Sequence, residues 1–167
     1  MKILFYLSFL TGLIFPQELT LKKGMKAPDF SLEDPNGIRY SLEDYNDKSP
    51  VVIYFYPKAG TLGCTKQACG IRDSYKEFED ISVPVFGIST DSKEDIHKFV
   101  KQYQLNFPLL SDSTKEVSRA YGVLKSNGYS ARYTFIIDKE GNIFDIIEVK
   151  DVTTHSSYVL GRLKEIL

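Results

Sequence analysis

Apolar positions along the chain change period several times, and each change marks an element. Phe30 and Leu32 alternate with polar residues, Asn36-Gly37 supplies a turn, and Ile38 and Tyr40 alternate again. That pattern predicts a β-hairpin. A polar stretch closing at Ser49-Pro50 leads into VVIYFY over 51–56, a run of β-branched and aromatic residues typical of a strand covered on both faces. Pro57 ends it. From Gly63 the period lengthens: Ala68, Ile71, Tyr75 and Phe78 fall at i, i+3, i+7 and i+10, one stripe of a helix.

The run VPVFGIST predicts a second buried strand. In DSKEDIHKFVKQYQL, Ser92 and Asp95 stand in capping-box arrangement, and Ile96, Phe99, Val100 and Tyr103 form the buried face of a helix. FPLLSD predicts a short strand and STKEVSRAYGV a short helix closed by Gly122. YTFIID and NIFDIIEV are two strands joined by a tight turn at Lys139-Glu140-Gly141. Thr153 or Thr154 caps a last helix with Val159, Leu160, Leu163 and Ile166 on its apolar face. The order ββ, β, α, β, α, β, α, β, β, α predicts an α/β fold. A mixed central sheet is flanked by helices on both faces, the plan of the thioredoxin-like class with an N-terminal β-hairpin.

A chain of 167 residues with a net charge of −1 is read as one domain with a real core. Nothing in this charge balance favours nucleic acid as a partner. The first residues differ in character. MKILFYLSFLTGLIFPQ carries one cation, Lys2, and then an apolar run from Ile3 to Phe15. This is the layout of a secretory signal and is shorter than a usual membrane span. No pair of small residues marks a cleavage site, so an uncleaved membrane anchor is the alternative. Residues 1–17 are therefore expected to act as signal or tether and 20–167 as the folded domain. The protein is expected to be exported, periplasmic or secreted.

Both cysteines of the chain, Cys64 and Cys69, lie in YPKAGTLGCTKQACG. Cys64 falls after a buried strand and in the first turn of a helix. Unpaired N–H groups and the positive end of the macrodipole converge there, and both favour the thiolate, which is the attacking form. Cys69 lies one residue beyond a full turn. In an intact helix the two Cα atoms are on the order of 8–9 Å apart, whereas a disulfide needs them within about 7 Å. A pair that is separated in one state and joined only after unwinding is a redox switch. A fixed structural disulfide fits the spacing poorly. A zinc site would need two more ligands, and His97 and His155 sit on other predicted helices without ligand spacing. The C-x-x-C of thioredoxin-type oxidoreductases is absent.

Pro57, Thr61 and Cys64 form P-x-x-x-T-x-x-C, which resembles the peroxiredoxin active-site motif. The wider FYPKAGTLGCTKQAC is similar to the bacterioferritin-comigratory-protein or PrxQ subfamily. GMKAPDFSLEDPNG, VFGISTDS, NFPLLSD, YGV and RYTFIIDKEG extend the resemblance from Gly24 to about Ile147. It implies a thiol-dependent peroxidase acting on hydrogen peroxide and organic hydroperoxides. Cys64 would be the peroxidatic thiolate and Cys69 the resolving cysteine, joined as an intramolecular disulfide that thioredoxin or a similar dithiol donor reduces. Thr61 would hydrogen-bond the substrate oxygens, Arg132 would hold the thiolate and polarise the peroxide, and Pro57 would wall the pocket. The resemblance implies no metal, haem or flavin cofactor, and a monomer.

Two positions depart from the family pattern. Leu62 replaces a proline, and Gln67 replaces a glutamate that commonly supports the active-site arginines. Arg72 is a second candidate cation. Two other readings share the fold: a thiol-disulfide or metal chaperone, and a non-catalytic module with a fixed Cys64–Cys69 disulfide.

Overall fold

The computed structural model describes residues 19–167, so the leader or anchor expected over 1–17 lies outside the described residues. The residues around Asn36-Gly37 pair as β1 (Ser31–Glu33) and β2 (Arg39–Ser41), antiparallel with Leu32 opposite Tyr40. Asp34 holds the turn, its carboxylate accepting the N–H groups of Asn36 and Ile38 at 2.8 and 2.9 Å. Gly37 takes a φ of 83° there, a conformation costly for residues with a Cβ.

The remaining strands are β3 (Val51–Phe55), β4 (Val85–Ser89), β5 (Leu109–Ser111), β6 (Tyr133–Ile137) and β7 (Ile143–Glu148). Together they make one seven-stranded sheet in the order β2-β1-β5-β4-β3-β6-β7. β3 runs parallel to β4 and antiparallel to β6, so it lies inside the sheet. All five of its residues are buried, which is why the sequence shows no alternation there.

Among the described residues five α-helices cover the sheet: α1 (Leu62–Asp73), α2 (Tyr75–Asp80), α3 (Lys93–Tyr103), α4 (Glu116–Ala120) and α5 (His155–Leu163). On one face Val52 and Tyr54 of β3 pack with Cys64, Ala68, Ile71, Ile96, Phe99, Val159 and Leu163. These come from α1, α3 and α5. On the other face Val51, Ile53 and Phe55 pack with Phe30, Leu42, Val117, Tyr121 and Phe135. Fully burying a Val, Leu, Ile or Phe side chain contributes about 1.5–3 kcal/mol, so both layers stabilise β3.

The stripe from Ala68 to Phe78 is continuous in sequence but not in structure. Ser74, at φ −98° and ψ 3°, divides α1 from α2. Its N–H is shared between the carbonyls of Gly70 and Ile71, and its hydroxyl meets that of Ser156 on α5 at 3.2 Å. Ser92 caps α3 as its spacing predicts, accepting the Asp95 N–H at 3.2 Å. α4 begins later than its sequence implies, because the Asp112 carboxylate caps it by accepting the N–H groups of Val117 and Ser118. Thr154 precedes α5 without capping it and donates to Asp151 instead.

Candidate active site

The chain leaves β3 at Phe55 and crosses the end of the sheet through 56–61 before entering α1. Tyr56 still donates its N–H to Ile88 at 3.1 Å. Pro57 then offers no N–H to continue the ladder and sits half-buried at the start of the loop. Asp91 anchors this loop from the segment after β4. Its carboxylate accepts the Ala59 N–H at 2.7 Å and the Ser89 hydroxyl at 2.8 Å. Thr61 is the exposed N-cap residue of α1, in extended backbone. Its hydroxyl donates to the Lys58 carbonyl at 3.1 Å, closing the loop on itself.

Cys64 is the third residue of α1 and is 1% exposed. Its sulfur therefore lies at the end of the helix where N–H groups lack intrahelical acceptors and the dipole is positive. Arg132, just ahead of β6, donates through Nη2 to Cys64 Sγ at 3.2 Å. The guanidinium fits because residue 63 is glycine: a Cβ there would lie 3.3 Å from Arg132 Nη2. The other arm, Nη1, donates to Gln67 Oε1. Gln67 is neutral, so it orients the guanidinium without cancelling the charge presented to the sulfur.

Behind Gln67 lies a polar row that the sequence did not announce. Gln67 Nε2 is 3.2 Å from His155 Nδ1, and His155 Nε2 is 2.7 Å from Thr134 Oγ1. All three side chains are buried. Burial, with the charge of Arg132 adding to it, lowers the His155 pKa from 6.5 to about 4, so the ring is neutral at ordinary pH. Tyr54 and Tyr56 line the same layer, with phenol pKa values pushed up chiefly by burial.

The structure thus brings Arg132 into contact with both Cys64 and Gln67. It keeps Cys69 apart: both thiols are free, and both lie within the continuous α1, where helical rise sets them too far apart to bond. Thr61 and Pro57 stand in the loop leading to Cys64, and the Thr61 hydroxyl is engaged by Lys58. Arg72 is turned away, bonding the Tyr103 carbonyl at 2.7 Å and Asp73. Leu62 is 76% exposed, so the side chain replacing proline points to solvent. Among the described residues no group of three or more His, Cys, Asp or Glu side chains converges as a metal site requires. Asp91, Thr134 and His155 escaped the sequence reading. The one available signal was that His155 is one of only two histidines, and metal spacing was the wrong test for it.

A profile of the AhpC/TSA family matches residues 23–146. Peroxiredoxin Bcp of Escherichia coli K12 is 40% identical over 152 residues, which cover 87% of this chain and 97% of the relative. Among solved structures, peroxidoxin BcpB from Mycobacterium tuberculosis superposes with a TM-score of 0.81 at 35% identity, over 88% of this chain and 99% of that one. A bacterioferritin comigratory protein of Xanthomonas campestris, studied for alkyl peroxide reduction, gives 0.78 at 27% identity, over 86% and 96%.

These relatives correct the expectation of export. The match takes up 97% of the Escherichia coli protein, which leaves no stretch comparable with residues 1–17, and that relative is a peroxiredoxin without such a segment. Placement outside the cytoplasm rested on those residues alone and does not stand. Among the described residues no helix is long and apolar enough to cross a membrane. By its family match, its identity to the Bcp proteins and its thioredoxin-like fold, the chain belongs to the AhpC/TSA family as a Bcp/PrxQ-type peroxiredoxin, a thiol-dependent peroxidase that reduces peroxides with a thioredoxin-type donor.

Proposed function

We propose that Cys64 is the peroxidatic cysteine and Cys69 its resolving partner. The observation that carries this is the contact of Arg132 Nη2 with the buried Cys64 Sγ in the first turn of α1. A guanidinium donor and the unpaired N–H end of a helix converge on this one sulfur. The thiolate attacks the nearer oxygen of the peroxide, forming an S–O bond as the O–O bond breaks. Cys64 becomes a sulfenic acid, and the departing alkoxide or hydroxide takes up a proton and leaves as alcohol or water. Arg132 is placed to stabilise the charge that builds on the departing oxygen. Thr61 contributes its hydroxyl to the bound peroxide after giving up Lys58, and Pro57 limits the water that reaches the sulfur.

The Cys69 thiol then attacks the sulfenic sulfur and expels water. Because α1 separates the two residues, its first turns unwind before the disulfide closes. A dithiol donor reduces the bridge, becomes a disulfide itself and returns both thiols. Hydrogen peroxide and organic hydroperoxides are both substrates in this reading. Residues 20–167 act as one catalytic domain and as a monomer, since attacking and resolving sulfurs lie on the same helix.

One equivalent of peroxide tests the assignment. Wild type is expected to lose two hydrogens and yield a peptide pair linked through Cys64 and Cys69. Cys69→Ser should gain one oxygen on Cys64, and Cys64→Ser should remain unchanged. Oxygen on Cys69 with Cys64 untouched would overturn the roles.

A further inference from the structure

We propose that His155 is a positioning residue of the peroxidase site: acting through Gln67, it fixes the Arg132 guanidinium against Cys64. This rests on the reading of Cys64 as the peroxide-attacking thiol.

Donors and acceptors along this row match in only one way. Arg132 has only donors, so the atom of Gln67 that meets its Nη1 is the amide oxygen. The Gln67 NH₂ group then faces His155 Nδ1 at 3.2 Å, and Nδ1 must accept. In a neutral imidazole the proton therefore sits on Nε2, which donates to Thr134 Oγ1 at 2.7 Å. The row has one direction throughout, from Arg132 to Gln67 Oε1 and from Gln67 Nε2 to His155 Nδ1. Three separate elements build it: Gln67 stands on α1, Thr134 on β6 and His155 on α5.

Every member except Arg132 is nearly sealed from water: Gln67 is 1%, His155 3% and Thr134 0% exposed. An unmade hydrogen bond in such a place carries the full desolvation penalty of the buried group, so the arrangement is strongly enforced. A donor at Nδ1 would confront the Gln67 NH₂. Turning the amide to relieve that would aim NH₂ at the guanidinium and break its hold. Gln67 works at this position because His155 supplies an acceptor behind it. The usual glutamate would present two acceptor oxygens and would need a donor from His155 instead. Hydrogen-bond partners that orient metal ligands affect affinity or activity by about ten- to a hundredfold, and an effect of that size is expected for His155.

The direct test is nitrogen-15 NMR of the reduced wild-type protein. The account requires His155 to carry its proton on Nε2 and none on Nδ1, and a proton on Nδ1 overturns it. The functional test pairs two variants, followed by the rate of Cys64 oxidation and by the pH at which its thiolate absorbance appears. His155→Leu removes the acceptor and should slow oxidation by about ten- to a hundredfold, with the thiolate appearing at higher pH. His155→Asn places an oxygen near the Nδ1 position and should restore most of both. Wild-type behaviour in His155→Leu, or an equal loss in both variants, would sink the positioning role. Failure of the wild type to oxidise at Cys64 would instead sink the reading on which it rests.

Discussion

Arg132 and Cys64 are 68 residues apart in sequence, and Nη2 of one donates to Sγ of the other at 3.2 Å. Strand pairing closes that distance. β3 and β6 run antiparallel with Phe55 opposite Tyr133, so the residue before β6 lies beside the chain leaving β3. The charge beside the Cys64 sulfur is thus delivered by sheet register. Arg132→Met is expected to slow Cys64 oxidation by about 10²–10³-fold, the usual cost of removing one donor to developing charge. Arg132→Lys should fall between, because an ammonium cannot reach Cys64 and Gln67 with a planar fork. Stopped-flow oxidation of the three proteins measures this, and equal rates for Arg132→Met and wild type would refute it.

Gly63 tests the same contact from the other side. Alanine there would place a Cβ 3.3 Å from Arg132 Nη2, so the guanidinium must move off by a few tenths of an ångström. In a helix alanine is favoured over glycine by about 1 kcal/mol. Gly63→Ala should therefore match or exceed wild type in thermal stability while oxidising more slowly. A stability loss with unchanged rate would contradict this account of the crowding.

His155 also sets an acid limit. Its folded-state pKa is about 4, against an ordinary 6.5, with burial as the main cause and Arg132 as the charge facing it. Between these values the unfolded chain binds a proton that the folded protein excludes, so stability falls as pH drops from 6.5 to 4. The loss is about 3 kcal/mol for this one group, complete below about pH 4 and absent above 6.5. His155→Asn should flatten that part of a urea-midpoint profile, and an identical slope in both proteins would contradict it.

Much of this architecture was legible because it depends on local pattern. The unbroken run 51–56 marked the doubly covered β3, Ser92 and Asp95 marked the start of α3, and the turns at Asn36-Gly37 and Lys139-Glu140-Gly141 marked two hairpins. The position of Cys64 in the first turn of α1, after β3, was legible from the switch of period there. Arg132 was singled out only through the family resemblance, since its contact with Cys64 arises from register. What stayed hidden was tertiary: Gln67 reads as a missing charge in sequence, and only the approach of α5 and β6 gives it His155 and Thr134. The break at Ser74 was hidden for the same reason, because its partner Ser156 lies on α5. Leu62, the other departure, turns its side chain to solvent. The apolar leader misled in the opposite way, offering a strong local signal for export that the relatives do not share.

The most direct measurement of the central claim is continuous peroxide consumption with a thioredoxin donor by wild type, Cys64→Ser and Cys69→Ser. Wild type should turn over repeatedly, Cys64→Ser should show none above background, and Cys69→Ser should oxidise once and stop because no disulfide forms for the donor to reduce. Sustained turnover by Cys64→Ser would contradict the account at its root, and sustained turnover by Cys69→Ser would remove Cys69 as the resolving partner.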